Sequence, residues 1–160
     1  GPIAYKEPEN YEARANLMWT SSLAINGLIS YGKETEWSVH AMEHELSAFY
    51  DITHGVGLAL LTPYWMKYIL NDDTVDGFVE YGVNVWGLDP EGDKFELANK
   101  AIDMTREFFV SLGLPTKLQE IGIDRENLET MAKGAVRYGE IGNFGKLNAE
   151  DVLKIFESAL

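Results

Sequence analysis

Apolar side chains recur along most of the chain at intervals of three and four residues, which is the spacing of an α-helix. The first such stretch covers residues 11–29. One of its stripes is broad enough to face a core and contains Ala13, Leu17, Ala24 and Leu28. Asn10 is the expected N-cap of this helix, and Gly32 is its expected stop.

Six further helical stretches follow, and no strand pattern interrupts them. They cover residues 37–50, 54–70, 74–86, 94–112 and 125–138, and a last helix is capped by Asn148. The stretch 54–70 is apolar almost all round, so we expect it to be the central buried helix, kinked or broken at Pro63. Asp124 is the expected cap of 125–138. Seven helices with short connections predict one all-α domain, a helical bundle of about seven helices spanning residues 1–160.

Charge and composition remove several classes of partner. Lysine and arginine number 13 against 26 aspartates and glutamates, which gives a formal net charge of −13. Such an acidic surface repels nucleic acid and anionic membranes, and no apolar run is long enough for a membrane span. The chain has no cysteine, so thiolate catalysis and Cys-ligated metal sites are excluded, and a cytoplasmic location is expected.

All the histidine of the chain lies in one short segment, as His40, His44 and His54. His40 and His44 are four residues apart, so on a helix they share one face. His54 follows a short turn and starts the next helix. Imidazole is a common ligand for divalent metals, and ligands from two neighbouring helices can hold one ion. The cluster therefore predicts a metal site.

One short motif within this segment has an alternative interpretation. The run from His40 to His44 fits the His-x-x-Glu-His pattern of inverzincin zinc metallopeptidases, in which Glu43 would be the general base and Glu120 a distant third ligand. That class of enzyme uses a mixed α/β domain, which the helical pattern does not indicate. A non-enzymatic helical interaction domain is the other alternative.

A longer motif covers the same histidines. The segment from Trp37 to Gly57 keeps the spacing His-x3-His-x9-His-Gly and resembles the signature of the iron-containing (group III) alcohol dehydrogenases. Its pattern is most similar to the NADPH-linked butanol dehydrogenase and aldehyde reductase branch. Flanking segments agree, among them Pro8-Glu9-Asn10-Tyr11 and Leu112-Gly113-Leu114-Pro115-Thr116. The resemblance extends over essentially the whole chain.

This resemblance implies a particular fold and a shared metal site. The chain would be the C-terminal helical domain of a dehydroquinate synthase-like fold, without the N-terminal α/β domain that binds NADPH or NADH. Family metal ligands are one aspartate and three histidines, of which His40 and His54 match two. The other two come from an Asp-x-x-x-His helix, a pattern this chain lacks. His44 matches a histidine beside the metal and is the candidate catalytic residue that relays a proton.

Further expectations follow for the cofactors, partners and pocket. The metal would be Fe2+ or Zn2+, the substrate a small alcohol or aldehyde, and the full-length enzyme a homodimer. Because two imidazoles do not complete a catalytic site, we expect the chain alone to be inactive. Candidate pocket residues are Phe49 and Tyr50, together with Phe144 in the glycine-rich loop 139–146. Asp51 could orient a histidine, although a solvated turn residue explains it better, and Trp37, Trp65 and Trp86 are assigned to the core.

Overall fold

The computed structural model describes all 160 residues, and it is built from α-helices. The helices are α1 (Pro2–Lys6), α2 (Tyr11–Ile25), α3 (Ser38–Tyr50), α4 (His54–Ile69), α5 (Val75–Trp86), α6 (Lys94–Ser111), α7 (Leu128–Ala135) and α8 (Ala149–Ser158). A 3-10 helix, Leu118–Ile121, lies between α6 and α7, and the β-structure is one isolated bridge, Ile141 to Leu147. The all-α prediction is confirmed, with eight α-helices instead of about seven. None of these helices combines the length and the apolar character that crossing a bilayer requires.

The chain divides into two compact units, and the first, Gly1–Thr35, contains α1 and α2. The predicted cap is present, since Asn10 Oδ1 accepts a hydrogen bond from the backbone N–H of Ala13. The helix ends at Ile25 and not at residue 29. Asn26 Oδ1 accepts a hydrogen bond from the backbone N–H of Leu28, and Gly27 has a φ of +83°, so the chain turns here.

The prediction that α2 turns its apolar stripe towards a core is wrong for this unit. No residue of α2 is buried. Its packing partner within the unit is the five-residue α1, which is too short to cover a stripe of this length. More than half of the chain's exposed large apolar side chains lie here, namely Ile3, Tyr5, Tyr11, Leu17, Met18, Trp19, Ile25, Leu28, Ile29 and Tyr31.

The second unit, Glu36–Leu160, holds the hydrophobic core. The predicted central helix is confirmed, because α4 packs against α3, α6 and α8 and half of its residues are buried. Pro63 lies inside α4 without breaking it, and the neighbouring Thr62 hydroxyl donates to the carbonyl of Leu58 at 2.7 Å. The largest fully buried side chains are Phe156, Met42, Leu46, Leu60, Leu61, Ile102, Leu118, Ile123, Leu128, Met131, Leu147 and Ile155.

The C-terminal helices follow their caps. The cap predicted at Asn148 is present in α8, and it forms a capping box with Asp151 as the reciprocal partner. α7 is shorter than predicted at both ends. Asp124 accepts from the backbone N–H of Glu126, which forms a turn before the helix, and α7 begins only at Leu128. α7 also packs against α3, so it closes the core next to the helix that carries two of the histidines.

Candidate metal centre

A tight turn between α3 and α4 brings the three histidines together. Asp51 ends α3 in the left-handed conformation, with φ 53° and ψ 42°, and its N–H donates to the carbonyl of Ser47 at 2.9 Å. The chain reverses within Asp51, Ile52 and Thr53, and α4 begins at His54. Because α3 and α4 pack against each other, the first residue of α4 lies alongside the face of α3 that carries His40 and His44.

The imidazole rings converge in the arrangement the spacing predicts. Nε2 of His54 lies 3.2 Å from Nδ1 of His40. The ring centroid of His54 is 5.1 Å from that of His40 and 5.3 Å from that of His44. One nitrogen from each of the three rings lies within 4.8 Å of the other two. His40 is half-buried, whereas His44 and His54 are exposed. The structure thus places the three predicted residues at one surface site, and the role of each stays a prediction.

The surroundings of His40 favour its neutral form. Burial lowers the pKa of this imidazole, and the neighbouring His54 and His44 lower it further because positive charges on adjacent rings repel. A histidine must be neutral at the nitrogen that binds a metal. The lowered pKa of His40 thus favours the neutral imidazole that metal binding requires.

A buried carboxylate stands behind the histidines. Glu43 is 0% exposed, and its Oε2 is paired with Nδ1 of His54. Its Oε1 lies 2.5 Å from the hydroxyl of Ser47, which is also 2.9 Å from the carbonyl of Ile52 in the turn. The sequence suggests Glu43 only as a peptidase base, so this contact with His54 was not predicted. Asp51, the carboxylate that could orient a histidine by its place in the sequence, is exposed in the turn.

Trp37 is a second contact that the sequence interpretation missed. It was assigned to the core, and this is wrong, because the side chain is 56% exposed and its ring centroid lies 4.7 Å from that of His40. Trp37 is the residue before α3, three positions ahead of His40. That i,i+3 spacing on a helix start was the available signal. Trp65, by contrast, is buried as expected.

The candidate pocket residues lie in two places. Phe49 and Tyr50 end α3, the former 44% exposed, and the Tyr50 hydroxyl accepts a hydrogen bond from Asn127 Nδ2 at 3.0 Å. Phe144 packs its ring against Phe78, with a centroid separation of 5.6 Å. It also lines a cavity of about 290 Å3 to which none of the three histidines contributes. The structure therefore does not group Phe144 with the imidazoles.

The arrangement of acids does not favour a peptidase. The carboxylate of Glu43 is occupied by His54 and Ser47 and has no exposed surface from which to activate a water molecule. Glu120 accepts a hydrogen bond from the hydroxyl of Thr116 at 3.0 Å and is not among the side chains grouped with the histidines.

Comparisons with known proteins cover the whole chain. Residues 2–160 match the family described as "Fe-containing alcohol dehydrogenase family, C-terminal". The NADH-dependent butanol dehydrogenase A of Clostridium acetobutylicum is 63% identical over 161 residues, which are 99% of this chain and 41% of that relative. The NADPH-dependent aldehyde reductase YqhD of Escherichia coli is 35% identical over 162 residues, again 99% of this chain and 41% of the relative.

A solved structure gives the same result. The crystal structure of an NADH-dependent butanol dehydrogenase A from Thermotoga maritima superposes with a TM-score of 0.88 at 33% identity, covering 98% of this chain and 41% of that one. The chain thus spans about two fifths of the length of the relatives it matches. None of these similarities is to a peptidase.

Proposed function

Because the chain belongs to the iron-containing alcohol dehydrogenase family, matching its C-terminal part, we propose that it supplies part of the metal site of an NAD(P)H-dependent enzyme. That enzyme interconverts small alcohols and aldehydes in the cytoplasm. The printed names of the relatives support the reaction class, since they are butanol dehydrogenases and an aldehyde reductase. They include both NADH-dependent and NADPH-dependent enzymes, so the proposal extends to either coenzyme.

The observation that carries the proposal is the approach of His40 and His54. Two nitrogen ligands at 2.0–2.1 Å from a tetrahedral ion would be about 3.3 Å apart. The nitrogens of these two rings are 3.2 Å apart, which is close to the separation that two ligands of one ion require. Fe2+ and Zn2+ both accept imidazole ligands, and these residues fit either metal. His40 and His54 would hold the ion.

His44 has a different position and a different proposed role. Its ring centroid is 6.3 Å from that of His40, and the side chain is exposed beside the ligand pair. When bound, the metal would act as a Lewis acid towards a carbonyl group. His44 can hold a proton next to the site and deliver it to the oxygen of the substrate, which is general acid catalysis by an imidazole.

The remainder of the enzyme is proposed from the family. Two imidazoles leave a catalytic metal short of the three or four protein ligands it requires. We propose that an Asp-x-x-x-His helix supplies the others, and that an N-terminal α/β domain binds the nicotinamide coenzyme. That domain would cover exposed apolar side chains such as Trp19 and Ile25 of α2. The full-length enzyme is proposed to be a homodimer, with Phe49 and Tyr50 as candidate walls of the substrate pocket.

Metal analysis of the full-length protein tests the ligand assignment. We expect His40→Ala and His54→Ala each to reduce bound Fe or Zn strongly. His44→Ala is the matched control, because it removes an imidazole from the same cluster; it should retain the metal and lose turnover of butanal with NADH or NADPH. Stoichiometric metal in both His40→Ala and His54→Ala would contradict the proposal.

The 160-residue chain produced alone gives a second test. We expect it to show no oxidation of NADPH with butanal in the presence of added Fe2+ or Zn2+, because half of the proposed ligands and the coenzyme domain are missing. Turnover by this chain would refute the division of the site between two parts of the enzyme. Chelator-sensitive cleavage of a peptide would instead favour the peptidase alternative.

A further inference from the structure

Helix α3 carries two buried carboxylates, and they have different partners. Glu45 is 5% exposed and makes an ion pair of 2.9 Å with Nη2 of Arg137. Glu43 is fully buried, and its Oε2 is paired with Nδ1 of His54. A carboxylate is costly to bury unless it is paired and hydrogen-bonded. The presence of Glu43 at this depth therefore calls for a reason connected with His54.

Glu43 is held in one position by its neighbours. Ser47, one helical turn further along α3, lies against Oε1, while His54 lies against Oε2. On the other side, the backbone of α4 approaches so closely at Gly57 that a Cβ there would be 2.6 Å from Cγ of Glu43 and 2.9 Å from Oε1. Glycine at this position leaves the space that the carboxylate occupies. The contact is thus built from three directions and is not a chance surface pairing.

The contact determines which nitrogen of His54 carries the proton. An ionised carboxylate only accepts hydrogen bonds, so Nδ1 must donate to it. In the neutral ring, Nε2 then has the free lone pair, and Nε2 is the atom that faces His40. A carboxylate in this position also makes the imidazole a stronger ligand and adds negative charge close to a bound cation.

We propose that Glu43 is a positioning residue for the metal site: it fixes the Nδ1–H tautomer and the orientation of His54, so that Nε2 is directed towards the ion shared with His40. The inference rests on the proposed function, since it assumes that His40 and His54 are ligands. It assigns Glu43 a role that the peptidase interpretation excludes, because a carboxylate bound behind a ligand cannot also act as the base in front of the metal.

Zn2+ binding to the metal-free full-length protein tests this role, measured by competition with a chromophoric chelator. Loss of the carboxylate partner of a ligating histidine weakens metal binding by about 10- to 100-fold, and we expect a weakening in this range for Glu43→Ala. Glu43→Gln should fall between Glu43→Ala and the unmodified protein, because an amide oxygen accepts the Nδ1–H bond without the charge. Glu45→Gln is the matched control on the same helix, and its affinity should change by less than about twofold.

A second readout needs no metal. In 15N NMR of the metal-free protein, His54 should be the Nδ1–H tautomer, and Glu43→Ala should shift it towards the mixture of tautomers of an unconstrained histidine side chain. Glu45→Gln should leave it unchanged. A structural role alone would lower stability without moving the tautomer.

The outcomes separate the two proposals. If His40→Ala and His54→Ala abolish Zn2+ binding while both Glu43 variants bind it as tightly as the unmodified protein, the role of Glu43 is refuted and the metal site stands. If Zn2+ binding is insensitive to His40 and His54, the proposed function itself fails. An unchanged His54 tautomer in Glu43→Ala would also overturn the inference, because the carboxylate would then not determine it.

Discussion

Replacing Gly57 with alanine probes the close packing between α3 and α4. Gly57 is buried within α4, and no unusual backbone angle prevents alanine there. An alanine in a helix interior is favoured over glycine by about 1 kcal/mol. The new Cβ would, however, lie 2.6 Å from Cγ, 2.9 Å from Oε1 and 3.2 Å from Cδ of Glu43. Rotation of the carboxylate end does not relieve the contact at Cγ, so Glu43 or the helix must move.

The expected magnitude comes from two opposing terms. Forcing a methyl group into a packed core costs about 1–3 kcal/mol. Gly57→Ala should therefore be destabilising by about 0–2 kcal/mol after the helical preference is included. Gly55→Ala is the matched control, because Gly55 lies in the same helix with nothing within 4 Å of the added Cβ. It should gain up to about 1 kcal/mol, so the two variants should differ by about 1–3 kcal/mol in free energy of unfolding.

Equilibrium urea denaturation measures this difference. The same substitution in a Glu43→Ala background isolates its cause, since that background lacks all three atoms that the new Cβ meets. There, Gly57→Ala should become as favourable as Gly55→Ala. Equal stability of Gly57→Ala and Gly55→Ala in the presence of Glu43 would show that Glu43 does not contact α4 this closely at Gly57. Glycine at this position would then not be explained by the space that Glu43 occupies.

Three further predictions concern other parts of the second unit. Phe156→Ala should lower the free energy of unfolding by about 3–5 kcal/mol because the ring is 0% exposed. Tyr138→Ala is the control, because this side chain is 96% exposed, and it should change the free energy of unfolding by less than about 0.5 kcal/mol. Equal effects of the two substitutions would contradict the assigned core. Asn148→Ala should cost about 1 kcal/mol in urea denaturation through loss of the capping box, whereas Asn148→Asp should retain most of it. Burial and the hydrogen bond to Asp151 raise the pKa of Tyr68 from 10.0 to about 12. The contribution of this tyrosine to the free energy of unfolding should therefore be complete below pH 10.0 and be lost as the pH rises through about 12. Subtracting the phenolate absorbance titration of Tyr68→Phe gives its midpoint directly, and a midpoint near 10.0 would show that the contact with Asp151 is absent.

The local features of the fold follow from short stretches of sequence. Asn10 and Asn148 cap their helices as predicted, and Gly113 ends α6 with a φ of +78°. The three-and-four spacing of apolar residues identified all the long helices. These features depend on residues within one or two turns of each other, so the sequence alone is sufficient to predict them. The spacing of His40, His44 and His54 is equally local on one helix and the turn after it.

The features that were wrong or missed depend on what packs against what. The apolar stripe of α2 predicted burial, but no residue of α2 is buried and nothing within residues 1–35 covers the stripe. The spacing of apolar residues on a helix shows which face can be buried, but not which element packs against it. Trp37 is a large aromatic residue of the kind expected in a core, but its ring lies beside that of His40. The His-x-x-Glu-His pattern suggests Glu43 as a general base. Its partner is His54, eleven positions away across a turn whose left-handed residue is Asp51.

The histidine spacing was thus available from the chain, whereas the orientation of the rings was decided by the tertiary structure. A ligand site requires nitrogen atoms to be directed at one point to within a fraction of an ångström, and that direction comes from the reversal at Asp51, from the packing of α3 on α4, and from the space left at Gly57. Each of these brings together residues that are distant in sequence. Periodicity and motifs describe which side chains are present on a face, but only the packed helices determine what those side chains touch.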